Sequence, residues 1–550
     1  MFDYDVVILG SGYGGSLTAL VARALGQRVL LVEASDHPRF AIGESTTPEQ
    51  NLRLKYLARR YDLPLLEQLS SYPRILQSNL PVATWPKCSF YYVHHEAGRP
   101  IDKRHPPEIL MQTSPWPTGP DCHVYRADYD LLLKDEAVAR GAEYLPHTKC
   151  TAVSFSAQEG ARVELQSDGG QARMVRARLL VDGTGGRSVL ARELGLALED
   201  SADVPMFSAS VFAHFKGLKS WEGQFGRRRL PFSRDHATMH HYSRDGWFWV
   251  IPFDNDVTSV GWVSKAPLDE SVSAEQNFYD ALKRMPSFAA VFENAEAVTP
   301  FYRLPRLQYS TRQMTGDAWA MLPHAAEFVD PWLSSGMVLT TAAVARLGAA
   351  IEAAPTDQPI DATHLALLER QFREEAAHVR KIVDGCLRSL HDPRLLQRAL
   401  AVYRLAVMLD GLALSRNDGD SATASVWAAH RPDLKPLVDR AYEFVCGTDP
   451  TRPATDNELA RLDAILRKND PVGFYRTRMG RLREDGIYIV SAWRMLDLLA
   501  RTDAVARSQR GDGLRRVAGR WLGSFRSRGR GGRALPAGLV RRQLRTLLRA

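Results

Sequence analysis

Asp5-Val6-Val7-Ile8-Leu9-Gly10-Ser11-Gly12-Tyr13-Gly14-Gly15, an alanine- and leucine-rich run to about Gly26, and Arg28-Val29-Leu30-Leu31-Val32-Glu33 together decide the fold. A short apolar run bounded by glycine suits a buried parallel strand. The run after the glycines is a helix, and the stretch ending at Glu33 is a second strand, which completes a βαβ unit. Three glycines in a GxGxxG spacing are weak evidence alone. Here Gly10, Gly12 and Gly15 lie between a strand and a helix, with an acidic residue closing the next strand. The glycines let backbone approach a pyrophosphate at the helix N-terminus, and Glu33 is placed to accept hydrogen bonds from an adenosine ribose. A plain glycine turn packing helix on strand is the competing reading, and Glu33 argues against it. The motif does not separate NAD from FAD.

Beyond this unit, Tyr129 to Ala139 reads as a helix, and Thr151–Phe155, Arg162–Leu165 and Arg178–Val181 read as strands. Strand-like runs at about 206–215, 238–242, 247–252 and 257–263 suggest a mostly antiparallel sheet inserted among the cofactor-binding segments. A strand at Ala318–Leu322 precedes a helix from about Gly336 to Ala354. Helical periodicity then dominates, as in Ala362–Leu390 and Leu395–Leu414. The expected organisation is a core over 1–360 containing the inserted sheet at about 200–310, a helical subdomain over 361–505 and a basic tail over 506–550.

With 550 residues, 45% of them hydrophobic and 24% charged, the chain can bury a large core, which excludes disordered and fibrous classes. No run of eighteen apolar residues occurs, and Met1-Phe2-Asp3-Tyr4-Asp5 has no basic region before its apolar stretch. Neither a membrane span nor a signal peptide is expected, which implies a cytoplasmic protein. The five cysteines are too far apart for zinc or CxxC chemistry, so reduced thiols and no metal are expected. The net charge of +8 is local: fourteen Arg against Asp503 and Asp512 give residues 501–550 a charge of +12, leaving −4 for the rest.

Four further stretches carry chemistry. His37-Pro38-Arg39-Phe40-Ala41-Ile42-Gly43-Glu44-Ser45-Thr46-Thr47-Pro48 is polar and turn-rich, and Asp182-Gly183-Thr184-Gly185-Gly186-Arg187-Ser188 follows a buried strand. In Gly246-Trp247-Phe248-Trp249-Val250-Ile251-Pro252, two tryptophans at spacing two project to one side of a strand. On the residues alone this is an ordinary core strand. Phe328-Val329-Asp330-Pro331-Trp332-Leu333-Ser334-Ser335-Gly336 opens a helix, and Ser334 or Ser335 would be a good N-cap.

Taken together these stretches resemble the flavin-dependent halogenases, within the fold of the hydroxybenzoate-hydroxylase type of flavoprotein monooxygenase. The tryptophan strand matches the GWxWxIP signature at every fixed position, and the last stretch matches FxxPxxSxG. The resemblance implies an α/β fold: a Rossmann-like FAD-binding domain, an inserted, mostly antiparallel substrate sheet and a C-terminal helical subdomain. It implies FAD, used as FADH2, with O2 and chloride or bromide. FAD contacts are expected from Gly10, Gly12, Gly14, Gly15, Glu33, Arg39, Gly43, Glu44, Ser45, Arg126, Asp182, His324 and Pro331, and halide contacts from the amides of Ser335 and Gly336. Arg126, with Asp128, also reads as a surface residue capping the following helix. Trp247 and Trp249 would form a wall keeping the substrate ring from the flavin.

In these relatives a lysine about seventy residues after the glycine motif carries the oxidised halogen. Lys87 is the only lysine in residues 56–102. Beside Trp85 and Phe90 it would be desolvated, which frees some neutral amine. A solvated lysine at a strand edge is the competing reading, because a one-residue slip would turn the side chain to the other face. The implied route runs from a flavin C4a-hydroperoxide to hypohalous acid, and on to Lys87 and an electron-rich ring.

Two positions depart from the pattern. His324 stands where relatives usually carry an aspartate near the flavin, and Leu333 stands where tryptophan halogenases carry a glutamate. The apolar Leu333 is typical of phenol and pyrrole halogenases. His94, His95, His123, His240 and His241 are candidate bases among which spacing does not choose. The rivals to halogenation are an aromatic hydroxylase of the same fold and a flavin-binding homologue without halogenating activity. A separate flavin reductase is expected, because no second nucleotide motif occurs. The Arg-rich tail is read first as a solvated extension, and second as a docking segment for an acyl carrier protein bearing the substrate. An anionic membrane surface is the weaker alternative, and no nucleic-acid partner is expected.

Overall fold

Four consecutive apolar residues, Val6 to Leu9, put Tyr4–Leu9 at the centre of a sheet with both faces covered. The computed structural model describes residues 2–476 and 487–488, apart from 113–120, 171, 198–205, 227–229, 231 and 417–421. In the first sheet Tyr4–Leu9 pairs in parallel with Val29–Val32 on one side and with Ala172–Asp182 on the other. Glu143–Leu145 extends one edge and Trp319–Met321 the other, both in parallel. The helix Tyr13–Ala24 makes the crossover between the two parallel strands of the βαβ unit. An antiparallel extension, Thr148–Ser156 and Gly160–Ser167, runs off Ala172–Asp182.

The second sheet is mostly antiparallel. Its middle strands are Ala209–Lys216, Thr258–Ser264, Gly246–Pro252 and Ala237–Ser243, within one or two residues of the predicted positions for the last three. Ser89–His94, joining in parallel to Ala237–Ser243, and Glu108–Gln112 extend it from an earlier part of the chain. Ile487–Tyr488 adds to Glu108–Gln112 in parallel, and Glu296–Ala297 and Tyr302–Leu304 add to Ala209–Lys216. Alternation sorts the side chains: Trp247, Trp249 and Ile251 face the main core, whereas Phe248 and Val250 face a smaller cluster under Ala274–Lys283 and Pro286–Ala289.

The helices Ala362–Arg388, Pro393–Arg416, Lys435–Cys446 and Asp456–Lys468 pack against this core. Leu365, Leu368, Phe372, Val379, Ile382 and Cys386 form the buried stripe of the first, and Asp361 caps it by accepting from the His364 N–H at 3.0 Å. A capping box between Thr455 and Glu458 starts the last. Trp332–Ala353 is long and apolar enough to cross a membrane, but 83% of its apolar window is buried inside the protein. The basic tail over 506–550 lies outside the described residues.

Candidate active site

The glycine motif forms a close convergence of backbone. Gly10 has φ +89° and donates its N–H to the Val32 carbonyl at 2.7 Å. A Cβ on Gly15 would run into the Gly10 carbonyl, and one on Gly10 would lie 2.7 Å from the Gly183 carbonyl oxygen. Gly12 takes the N-cap position of Tyr13–Ala24 without a side-chain cap, so the first amides of the helix keep the donors an anion needs. Glu33 accepts from the Ser11 N–H at 3.0 Å and hydroxyl at 2.9 Å, and Arg39 approaches it at 3.6 Å. Burial works to raise the Glu33 pKa, but Arg39 and the Ser11 donors outweigh it and hold the carboxylate below its usual range. A glycine cradle, an uncapped helix start and an ionised carboxylate at the second strand fit a dinucleotide such as FAD. Gly15→Ala is therefore expected to weaken FAD binding by at least 100-fold, read by flavin fluorescence titration, because the new methyl group can only be accommodated by separating helix from strand.

The 37–46 stretch is tied down along its length. Arg126 donates to both Asp130 oxygens at 2.7 and 2.8 Å and to the carbonyls of Ile42 at 2.7 Å and Gly43 at 3.2 Å. It begins the helix Arg126–Ala139 while gripping the Gly43 turn, where φ is +90°. Glu44 meets buried His214 at 3.0 Å, and the Ser45 hydroxyl lies 2.8 Å from that of Thr238. Both oxygens of Asp182 are occupied: they accept from the Thr184 N–H and hydroxyl, the Ser188 hydroxyl and the Leu190 N–H. Asp182 thus shapes the 183–188 turn that packs against Gly10.

In the Pro331–Gly336 turn, Leu333 (φ 68°) and Ser334 (φ 56°) are successive left-handed residues, a costly arrangement for side-chain-bearing residues. Asp330 holds it by accepting from the Trp332 N–H at 3.0 Å and the Ser208 hydroxyl at 2.6 Å. Ser334 occupies the N-cap of Ser335–Ala353 but makes no side-chain cap. The alternative reading as an ordinary serine cap is therefore not what this turn does. A Cβ on Gly336 would lie 2.6 Å from His324 Nε2, so a side chain there would have to displace the His324 ring. Burial, and then the Arg126 charge, push the His324 pKa down to about 4, leaving a neutral ring beside the turn.

Lys87 ends the strand Thr84–Lys87, which pairs antiparallel with Asp121–Val124. The register turns it inward: its side chain is 0% exposed, its amine donates to the Thr46 carbonyl at 2.6 Å, and it sits 4.0 Å over the Phe90 ring. Burial lowers its pKa to about 8, against the opposing pull of Asp121 and Glu49. From Phe90 a continuous row of rings leads away. Phe90 meets Tyr92 and His240 at 6.3 and 5.6 Å, and His240 meets Trp247 and Trp332 at 5.2 and 4.9 Å. Trp332 belongs to the Pro331–Gly336 turn. Lys87 and that turn thus sit at the two ends of one aromatic row, with Trp247 in its side and Trp249 6.1 Å further on. Gly261, opposite Trp249 in the neighbouring strand, leaves the space its indole fills.

Of the five histidines left open by the sequence, His240 lies in this row and His123 near Lys87, each pushed down to about 3 by burial and then held neutral. His95 and His241 pair with each other at 3.1 Å, and His241 packs against Trp221 and Phe288 in the smaller cluster. Sequence reasoning missed Tyr92, Trp332, Tyr403, Trp427 and Glu49. The signal for Glu49 was present: Glu49 and Arg53 are one helical turn apart on the face that buries Leu54 and Leu57. Charge on an apolar face asks for a partner.

The tryptophan halogenase profile matches residues 5–58 and 100–386. The chain belongs to the tryptophan halogenase family. It is 30% identical over 492 residues to monodechloroaminopyrrolnitrin halogenase PrnC of Pseudomonas fluorescens, covering 85% of each chain. It is 28% identical over 344 residues to 1H-pyrrole-2-carbonyl-[peptidyl-carrier protein] brominase of Pseudoalteromonas luteoviolacea, covering 61% of this chain and 74% of that one. The crystal structure of halogenase PltM in complex with phloroglucinol and FAD superposes with a TM-score of 0.77 at 25% identity, covering 86% of this chain and 98% of PltM. This member of the tryptophan halogenase family is a flavin-dependent halogenase that uses FAD, O2 and halide.

Proposed function

We propose that this enzyme halogenates an electron-rich aromatic ring of the phenol, resorcinol or pyrrole type, with Lys87 presenting the oxidised halogen. The observation that carries the reading is the buried Lys87 amine, with its pKa lowered to about 8, at one end of a ring row whose other end is the Pro331–Gly336 turn. Bound reduced FAD, with O2, supplies the oxidising equivalents that turn halide into hypohalous acid. Gly10, Gly12, Gly14, Gly15, Glu33 and Arg39 would hold its pyrophosphate and adenosine end, and Gly43, Glu44, Ser45, Arg126, His324 and Pro331 its flavin end, with Asp182 supporting the turn between. The amides of Ser335 and Gly336 would hold halide. Trp247, Trp249 and Trp332 keep water and substrate from the oxidising centre, so hypohalous acid travels to Lys87. There the amine hydrogen-bonds it or forms a chloramine.

The division of labour we infer gives cofactor and halide to residues 1–360, and closure over the substrate to the helices from 361 onward. Tyr403 and Trp427, which come from those helices, support this. The phloroglucinol complex of PltM favours a free phenol. A ring tethered to a carrier protein is the second reading, supported by the substrate in the name of the luteoviolacea relative. A separate flavin reductase would supply FADH2. The test is one incubation with FAD, NADH, a generic reductase, O2, bromide or chloride, and a panel of phenols, resorcinols and pyrroles, free and carrier-bound. Replacement of hydrogen by halogen, seen by mass and isotope pattern, is expected. Gain of one oxygen would make the enzyme a hydroxylase instead.

A further inference from the structure

Glu49 is 0% exposed, and among the described residues only one of its carboxylate oxygens has a partner. Oε1 accepts from the Trp427 indole N–H at 3.2 Å, and Oε2 has no partner among the described residues. Leaving a buried carboxylate oxygen without a donor is expensive, and native proteins keep such a group where a ligand completes it. The amides of Gln50 and Asn51 are turned elsewhere, donating to the Tyr13 hydroxyl at 3.2 Å and to Asp121 at 2.8 Å. A buried, unmatched carboxylate oxygen suits a ligand that donates a hydrogen bond, as a hydroxylated ring does.

The location is the Lys87 end of the ring row. Trp427 lies 4.9 Å from Tyr403, Tyr403 lies 6.2 Å from Phe90, and Phe90 carries the Lys87 amine over its face. Glu49 acts electrostatically on both Lys87 and Tyr403. The ionisable groups facing it are Arg53 on its own helix, Asp410 and Tyr403 on Pro393–Arg416, Asp121 on Asp121–Val124 and Lys87 on Thr84–Lys87. Arg53 is committed to Asp410 at 2.9 Å, and Asp121 accepts from Asn51 at 2.8 Å. Burial first, and Asp410 second, raise the Glu49 pKa to about 7, where a base works most effectively near neutral pH.

We propose that Glu49 is a second catalytic residue: its free oxygen takes the hydroxyl proton of a phenolic substrate while Lys87 presents the halogen. The proposal rests on the phenol reading above. As the O–H proton passes to Oε2, the ring carbon forms its bond to the halogen of hypohalous acid. The halogen–oxygen bond breaks and the leaving hydroxide takes a proton from the Lys87 ammonium to become water. The neutral Lys87 amine then removes the ring proton, and Glu49 returns its proton to the phenolic oxygen. The sum is ArH plus HOX giving ArX plus H2O, with the ring oxidised by two electrons and the halogen reduced by two. Trp427 is a positioning residue that fixes Oε1 and leaves Oε2 to the substrate.

The test measures product kcat and KM from pH 5.5 to 9 for phenols of graded acidity, alongside O2 consumption. Glu49→Gln is expected to lower kcat at least 100-fold on weakly acidic phenols and less than 10-fold on an electron-poor phenol already ionised at the assay pH. O2 consumption is unchanged. The wild type shows a limb near pH 7, activity rising as Glu49 ionises, with weakly acidic phenols only. Trp427→Phe, which removes a donor from the carboxylate, moves that limb to higher pH. Equal loss on all phenols, or activity within 3-fold of wild type, overturns the proposal. If Glu49→Gln does not fold, absence of the pH limb in the wild type overturns it on its own. A wild type that halogenates tethered rings but no free phenol would instead overturn the reading on which the proposal rests.

Discussion

Lys87→Met is expected to lower halogenated product at least 1,000-fold while FAD binding and O2 consumption stay at wild-type levels. Methionine keeps the volume of the fully buried stem and its contact with Phe90, so the packing survives and only the amine is lost. Hypohalous acid would still form beside the Pro331–Gly336 turn, but without a group to hold it against the ring it leaks to water. The readout is product by mass spectrometry together with free hypohalite trapped by a chromogenic scavenger, which should rise as product falls. A variant that still halogenated would remove Lys87 from the mechanism.

The same substitution has a second consequence. In the folded protein the Lys87 pKa falls from 10.5 to about 8, so between these values the unfolded chain binds the proton that the native state has released. Stability contributed by this site therefore rises with pH from about 8 to about 10.5, and below pH 8 the buried ammonium costs of the order of 3 kcal/mol. Lys87→Met escapes that cost but leaves the Thr46 carbonyl without its donor, which offsets part of the gain. The checkable feature is the slope: the stability of the variant relative to wild type should decline as pH rises through this window. A flat difference would mean the amine is not held near pH 8.

Much of this architecture was legible in the chain. The βαβ unit, the tryptophan strand and the long helices follow from apolar periodicity and glycine placement, and they fold within a few residues of the expected positions. Local pattern could also say that Trp247 and Trp249 share a face. What it could not say is which distant strands lie beside them. Ser89–His94 joins Ala237–Ser243 in parallel across some 150 residues of chain, and only that pairing brings Phe90 and Tyr92 against His240. The inward register of Lys87 likewise depends on its pairing with Asp121, not on its neighbours in sequence. Glu49 was overlooked for a related reason: a glutamate in the first turn of a helix is ordinary. Its meaning comes from Trp427, 378 residues away.

Arg53→Met is expected to be the most destabilising single change in this region. Arg53 and Asp410 are both 0% exposed and meet at 2.9 Å, and a second pair of atoms meets at 3.2 Å. Removing one member of such a pair leaves a buried charge uncompensated, at a cost of about 3–5 kcal/mol. The loss should spread, because Asp410 also accepts the Trp427 N–H at 2.9 Å. Trp427 and Ala428 are held at φ 51° and 56°, a conformation such residues adopt only when their surroundings impose it. Glu375 anchors the same segment through the Val426 N–H at 2.9 Å and is itself paired with Arg346. Once Arg53 is gone, Asp410 favours its neutral form, the strained turn loses one of its two anchors, and Trp427 loses its hold on Glu49. Thermal midpoint and hydrogen-exchange protection over 393–416 should therefore fall together, and activity should fall further than the folded fraction. Arg53→Met combined with Asp410→Leu removes both charges, so it should recover most of the stability. It should recover little of the activity, because the anchor of the Trp427 turn is still missing. If the double variant regained both, the pair would matter only for folding, and the path from Asp410 through Trp427 to Glu49 would be wrong.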